Sequence, residues 1–453
     1  MENVNFFEQK FNIPRILKFS LPSIVMMFIL SMYQCVDGLF VSNFVDTNGL
    51  GAINIVYPFI FIGLGVSLML GSGASALIGK VLGEGSREKA NSIFSFVIFV
   101  SIAFAVLTGF LGTVFIDELV IFLGADEVYF DMAKTYLQTH FYFIVFYYLQ
   151  NIFQILFITS SKPKIGLITT VLAGVINIAL DYLFIVVLEF GIVGAALATG
   201  ISYLIPAITG IVYFLFSKKS LFKFSSFKID FKTLWNVMVN GSSEMLSNIA
   251  NSVTTFLFNY QFYKYYLDTG VDSITIVLYF QFFVSSIMYG FASGIAPIFS
   301  YKFGKQQLNE ILSLKKRSIL IICLLSLLSF IVSILLISPI SLLFSGGSIE
   351  VYKLTIDNFI YFAFSLLFMG ISIFASSYFT ALNDGVSSLI ISTLRTFVFL
   401  SVALIVLPLL FNEVGLWSAT AVAELLGALL SVGFIIIKKI DFKTLEEKVT
   451  DKL

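Results

Sequence analysis

The sequence predicts an all-α polytopic membrane protein. It has twelve transmembrane helices in two six-helix bundles, related by a pseudo-two-fold axis along the membrane normal. Three observations carry this. The 453-residue chain is 58% hydrophobic and only 12% charged, with a mean hydropathy of +0.98, whereas a soluble domain carries about 25% charged residues. Twelve apolar segments of bilayer-spanning length are bounded by charge or turn signals. The second half repeats the pattern of the first at a shift of 221 residues.

The expected spans are 14–41, 52–78, 92–116, 132–158, 165–188, 192–216, 235–259, 273–300, 316–344, 354–380, 386–410 and 415–437. The first is too long for a signal peptide and is expected to be retained as a span. Most of the 27 Lys and Arg lie in the N-terminus, the even-numbered loops and the C-terminus, whereas the odd-numbered loops hold Lys134, Lys264 and Lys353. Such asymmetry places both termini in the cytoplasm of a protein of the cytoplasmic membrane. Residues 217–234, SKKSLFKFSSFKIDFKTL, set Leu221, Phe222, Phe224 and Phe227 among lysines. They read as a linker lying on the anionic leaflet, between an N-lobe, 1–216, and a C-lobe, 235–453, that ends in a short tail.

At the 221 shift, GSGASALIGKVLGEG (71–85) falls on ASGIAPIFSYKFGKQ (292–306), and VGAALAT (193–199) falls on VGLWSAT (414–420). Six spans per half give both halves the same orientation, a parallel repeat that puts a substrate cavity between them. Ser67, Gly71, Ser75 and Gly79 on span 2, and Ala292, Ala296 and Ser300 on span 8, have the small-xxx-small spacing of close helix packing within each half.

An ionisable group inside a span is costly and is retained for function or for a partner. Asp37, Asp181, Glu244, Arg395 and Glu424 are such groups. Asp181 and Asn177 share a face of span 5. A helical rise of about 1.5 Å per residue puts Asp37, Asp181 and Thr199 at similar depth in the outer half of the N-lobe. Oxygen ligands of this kind suit a monovalent cation or a shared proton. At the repeat positions Asp37 becomes Phe258, Asn177 becomes Val398 and Asp181 becomes Val402, so this chemistry is confined to one lobe. In the C-lobe, Arg395 and Glu424 can form an ion pair. Glu244, with Tyr33 and Gln34 on span 1, is the candidate lining of the substrate cavity. His140 reads as a satisfied histidine near the outer end of span 4. Part of the aromatic content, 16% of the chain, suits a cavity for flat cations.

Other classes are poorly served. Zero net charge gives nucleic acid no electrostatic footing. Cys35 and Cys323 lie in apolar runs, make no disulfide or metal framework, and read as small core residues. There is no H-E-x-x-H or G-x-S-x-G, and GASALIGKV (73–81) is one residue too long for a P-loop and ends without its Ser/Thr. No enzyme is expected.

The chain resembles the multidrug and toxic compound extrusion (MATE) family. The segments that carry the resemblance are LPSIVMMFILSMYQCVDGLFVSNFVDTNGLGAINIVYP (21–58), GKVLGEGSREKAN (79–91), NIALD (177–181) and GAALAT (194–199), with GSSEML (241–246) pointing to the MepA-like branch. The resemblance implies two six-helix bundles forming a V, and export of hydrophobic organic cations in exchange for Na⁺ or H⁺. It makes Asp37, Asn177, Asp181 and Thr199 the site of the coupling cation and Pro22 a point of helix bending. No cofactor beyond Na⁺ or H⁺ and no obligatory protein partner is expected, so the working unit is a monomer in membrane lipid. The alternative is a flippase for a lipid-linked saccharide or other lipid precursor.

Overall fold

The computed structural model describes residues 4–45, 47–345, 347–438 and 440; the side chains of 4, 5, 34, 35, 37–39, 42, 43, 47, 48 and 50 lie outside the description. The described elements are all helices. Span 1 is Ile13–Phe44, span 2 Thr47–Gly83, span 3 Arg87–Val114 and span 4 Phe130–Thr159. Span 5, Pro163–Asp181, is continued by a π-helical turn, Tyr182–Val187, and span 6 is Gly191–Phe216. The helix Phe231–Gly304 leaves helical backbone at Leu267 (φ 55°), which divides it into spans 7 and 8. Span 9 is Leu308–Phe344, and span 10 bends by 48° between Ile349–Ala363 and Ser365–Ala381. Span 11 runs from Gly385–Thr393 through a π-helical turn, Leu394–Phe399, into Leu400–Ile437. That last helix breaks at Asn412 (φ 49°), and span 12 follows. All twelve expected spans are therefore present.

Local chemistry sets the starts. Asn12 Oδ1 accepts from the Arg15 amide at 3.1 Å ahead of span 1. Asp230 Oδ1 accepts from the Lys232 and Thr233 amides at 3.0 and 3.2 Å, so span 7 begins at Phe231 rather than 235. Each cap satisfies amides that the first helical turn leaves orphaned. Large apolar side chains such as Phe110, Leu324, Leu328, Leu335 and Leu409 are exposed on the outside of the bundle, as a bilayer-facing surface requires. Cys323 lies on this exposed surface, not in the core.

Spans 1 and 2 make the main contact with the helix that forms spans 7 and 8, and this seam shows the repeat in three dimensions. A Cβ built on Gly304 would lie 1.9 Å from the Lys80 carbonyl oxygen, and one on Gly83 would lie 2.2 Å from that of Tyr301. Gly83 and Gly304 are 221 residues apart, as are Lys80 and Tyr301. Further along, a Cβ on Gly73 would meet the Val237 oxygen at 2.0 Å, and one on Gly241 the Met69 oxygen at 1.9 Å. Turns repeat as well. The left-handed residues Gly85 (φ 90°) and Gln306 (φ 56°) are shift mates, and so are Gly191 (φ 57°) and Asn412 (φ 49°).

The small-residue stripes serve two interfaces rather than one. Ser67 and Ser75 bond to Asn151 and Thr159 of span 4, at 3.1 and 2.7 Å, inside the first half. Gly79 instead faces Ser300 across the seam, where an added Cβ would meet the Ser300 Cβ at 2.6 Å.

One end of the molecule is closed. It carries the N-terminal helix Val4–Glu8, the segment 217–230 and Lys438. There a single hydrophobic core runs through both halves, from Phe7 and Phe11 to Phe379. Toward the opposite end the first half has a core of its own, from Val41 and Ala52 to Tyr203, with no member from the second half among the described residues. The linker does not lie flat on a leaflet. Phe222 is buried against Phe94 and Phe214, Phe224 packs on Phe94, and Phe227 on Phe96 and Phe99. Arg87 donates to the Ser220 carbonyl at 2.7 Å, and Asn91 and Ser95 accept from the amides of Lys223 and Ser225. The aromatic residues find deeper burial between spans 3 and 6 than an interface offers.

The N-terminal helix straps the closed end. Glu8 pairs with Lys305 at 2.5 Å, Lys302 donates to the Glu8 carbonyl at 3.3 Å, and Arg317 donates to the Phe11 carbonyl. The hydrogen bond from Lys305, and then its charge, hold the Glu8 carboxyl below the usual carboxylate range. A depressed carboxyl adds stability above its unfolded pKa and loses it as pH falls through its folded pKa. Hydrogen exchange of residues 4–12, corrected for intrinsic rates, will therefore rise between pH 7 and about pH 3. Glu8→Gln should show the raised exchange already at pH 7; equal protection in the variant would remove the ion pair from this account.

Candidate functional site

Two polar clusters lie inside the bundle. The first is built by spans 5 and 6. Asn177 and Asp181 are fully buried, one turn apart, where the α-helix gives way to the π turn Tyr182–Val187. π turns inside helices recur at functional sites. Asn177 Nδ2 donates to Thr199 Oγ1 at 3.5 Å. Its Oδ1 is buried and accepts no hydrogen bond among the described residues. A buried oxygen left unsatisfied costs free energy unless something else comes to it. Asn177, Asp181 and Thr199 are thus brought together, and the donor set fits a small oxygen-seeking cation or a proton. Asp37 and Gln34 lie on span 1, with side chains outside the described residues. Tyr33 packs on span 5, with its Cβ 3.6 Å from where a Cβ of Gly174 would stand. Span 1 is continuous through Pro22. His140 is buried, edge-on to Tyr147 and Tyr203 at 5.0 and 6.3 Å.

The second cluster is a cavity within the second half, walled by spans 7, 8, 10 and 11. Glu244 lines it; Tyr33 does not. Arg395 stands on the π turn of span 11, and its Nε and Nη2 donate to Glu424 at 2.7 and 2.9 Å. The two side chains are 8% and 7% exposed. Removing one partner of such a buried pair strands a charge and costs about 3–5 kcal/mol, whereas replacing both by apolar groups is neutral or stabilising. Glu424→Leu will therefore lower the thermal unfolding temperature in detergent, and the double change Arg395→Met with Glu424→Leu will restore it. Equal unfolding temperatures for Glu424→Leu and the parent would show that the pair is not needed for stability.

The MatE family model matches residues 22–183 and 244–406, both halves of the repeat. The chain belongs to the MatE family. The multidrug export protein MepA of Staphylococcus aureus strain MRSA252 is 25% identical over 307 residues, 67% of each chain. MepA of Staphylococcus saprophyticus is 25% identical over 329 residues, 71% of this chain and 72% of its own. Among solved structures, a MATE transporter in complex with MaL6 superposes with a TM-score of 0.90 at 19% identity, covering 96% of this chain and 97% of its own. An outward-facing multidrug resistance MATE transporter superposes with a TM-score of 0.90 at 20% identity and the same coverage. The MatE chain described here is thus a multi-pass membrane protein with the fold of those transporters.

Sequence reasoning singled out Asn177, Asp181 and Thr199, which the structure brings together, and Glu244, which lines the second cavity, but none of the other residues of that lining. Ser247, Tyr289, Ser376 and Ser392 look like packing residues until four spans bring them to one wall. The sequence carries no signal for them, since span 9, which does not line the cavity, is as rich in serine and threonine as span 8.

Proposed function

We propose that this MatE protein is a secondary active transporter that exports hydrophobic organic cations across the cytoplasmic membrane in exchange for Na⁺ or H⁺. The observation that carries the reading is the buried Asn177–Asp181–Thr199 cluster with the unspent Asn177 oxygen. It lies in the first half, close to Ile185, in the part of that half whose core has no member from the second half among the described residues. Asp37 completes the coupling site from span 1. The lobes are 1–216 and the chain beyond the linker, with both termini cytoplasmic as the charge asymmetry requires. On that orientation the closed end is the cytoplasmic end. Entry of the coupling ion from outside favours one state over the other only through unequal affinity for the two. Substrate binds between the lobes, where Glu244, Tyr33 and Gln34 are the candidate contacts, and Pro22 lets span 1 bend. The chain works as a monomer. The MepA relatives, described as multidrug export proteins, support drug-like cations as cargo. A flippase for lipid-linked phosphates is the weaker reading, because Arg395, the one arginine held within the bundle, is already neutralised by Glu424.

The test is uptake of a fluorescent cation into proteoliposomes under an imposed Na⁺ or proton gradient. Transport driven by one gradient, and abolished when that gradient is collapsed, is the expected result. Flux indifferent to both gradients would overturn the reading.

A further inference from the structure

The two halves are tied at the closed end by the segments that lead into them, and each segment lies on the opposite half. The chain ahead of span 7 lies on the first half. Its Phe222 and Phe224 pack on Phe94 of span 3, and Arg87 of span 3 donates to the Ser220 carbonyl. The chain ahead of span 1 does the reverse. Phe7 packs on Tyr301 of span 8 at 5.5 Å, Glu8 pairs with Lys305 at the end of that span, and Arg317 of span 9 donates to the Phe11 carbonyl. Spans 3 and 9 are repeat mates, as are Phe6 and Phe227 at the 221 shift.

The two grips differ in chemistry. The linker holds the first half through Phe222, which is fully buried, and through backbone amides donated to Asn91 and Ser95. The N-terminal segment holds the second half through bonds that water can reach, since the Lys305 and Glu8 side chains are 30% and 41% exposed. Such a pair exchanges its partner for water at little cost. Its aromatic residues are also shared between the halves. Phe6 and Phe7 pack on Phe19 of span 1, at 4.9 and 6.0 Å, so part of their contact survives departure from spans 8 and 9. The turn into span 1 is fixed separately, by the Asn12 cap and by Arg15, which donates to the Lys10 carbonyl at 2.9 Å. Rocking of one half on the other has to break or repack whatever crosses between them.

We propose that residues 6–12 are a latch between the halves: bound to spans 8 and 9 they hold this end shut, and they leave those spans each time it opens. The latch rests on the transporter reading above, which supplies the opening, and adds the element that gates it.

The first measurement needs no transport. Ser300→Cys, buried in the seam, is alkylated in purified protein whose Cys35 and Cys323 have been replaced. Adding Glu8→Lys, which sets like charges against each other, should speed labelling about two- to fivefold. Adding Lys305→Glu to that variant re-forms the pair in reverse and should return the rate to that of the parent. The second measurement joins Glu8→Cys to Lys305→Cys with a reducible bis-methanethiosulfonate. Joining should stop gradient-driven uptake of the fluorescent cation in proteoliposomes, and reduction should restore it. Full uptake by the joined protein would show that the segment stays on the second half throughout the cycle and would overturn the latch. A labelling rate that Glu8→Lys leaves unchanged would overturn it as well. If no cation is taken up even before joining, the transporter reading falls, while the labelling rates still decide the latch.

Discussion

Gly241→Ala will open the closed end of the protein and cut transport at least tenfold. The added methyl would stand 1.9 Å from the Met69 carbonyl oxygen, about half an ordinary contact, and the clash is with backbone. Spans 2 and 7 must therefore separate, since no side chain can turn away. The seam repeats this contact at Gly73, Gly83 and Gly304, so one substitution weakens an interface made of close backbone approaches along its length. Overpacking of this kind costs roughly 1–3 kcal/mol, which shifts a two-state equilibrium by about 5–150-fold. The readout is alkylation of a cysteine placed at Ser300, which is fully buried in the seam, in a background with Cys35 and Cys323 replaced. Labelling should be slow in the parent and fast in Gly241→Ala. Slow labelling together with normal transport would mean that the seam parts easily and is not what closes this end.

Asp181→Asn will abolish gradient-driven transport while leaving the protein folded. Asp181 is wholly buried beside Asn177, and Asn keeps the shape of the side chain while removing its charge. Melting in detergent is expected to stay close to that of the parent, which separates a loss of coupling from a loss of fold. Binding of substrate in detergent should persist, because Asp181 is not among the proposed substrate contacts. Asp37→Asn should give the same transport defect if span 1 supplies a ligand to the same site. A variant that kept full gradient-driven flux would remove Asp181 from coupling.

The number of spans, their order and the repeat were legible in the sequence because they depend on hydrophobic length, turn residues and charge asymmetry, all local or countable. The repeat was visible in the glycines for a further reason. A glycine at a backbone contact has no substitute, so Gly83 and Gly304 persist in both halves where larger residues have drifted. Asn177, Asp181 and Thr199 stood out in the sequence because polar groups in apolar spans are costly, and the structure sets them close together on spans 5 and 6. The linker was misread for an equally physical cause. Lysines alternating with phenylalanines describe an amphipathic segment, but not whether lipid or Phe94 and Phe214 will receive the aromatic face.

The sequence by itself determined that this chain spans a membrane twelve times in two related halves, and that the polar positions Asp37, Asn177 and Asp181 of its first half have apolar counterparts in the second. Only the tertiary structure decided which groups meet. It paired Arg395 with Glu424, left Glu244 facing a cavity, and turned the Ser247 hydroxyl to its own helix and that of Ser377 to the Ala292 carbonyl of span 8. Those outcomes depend on the rotation and spacing of neighbouring helices. Contacts among several spans fix both, and no single span encodes them.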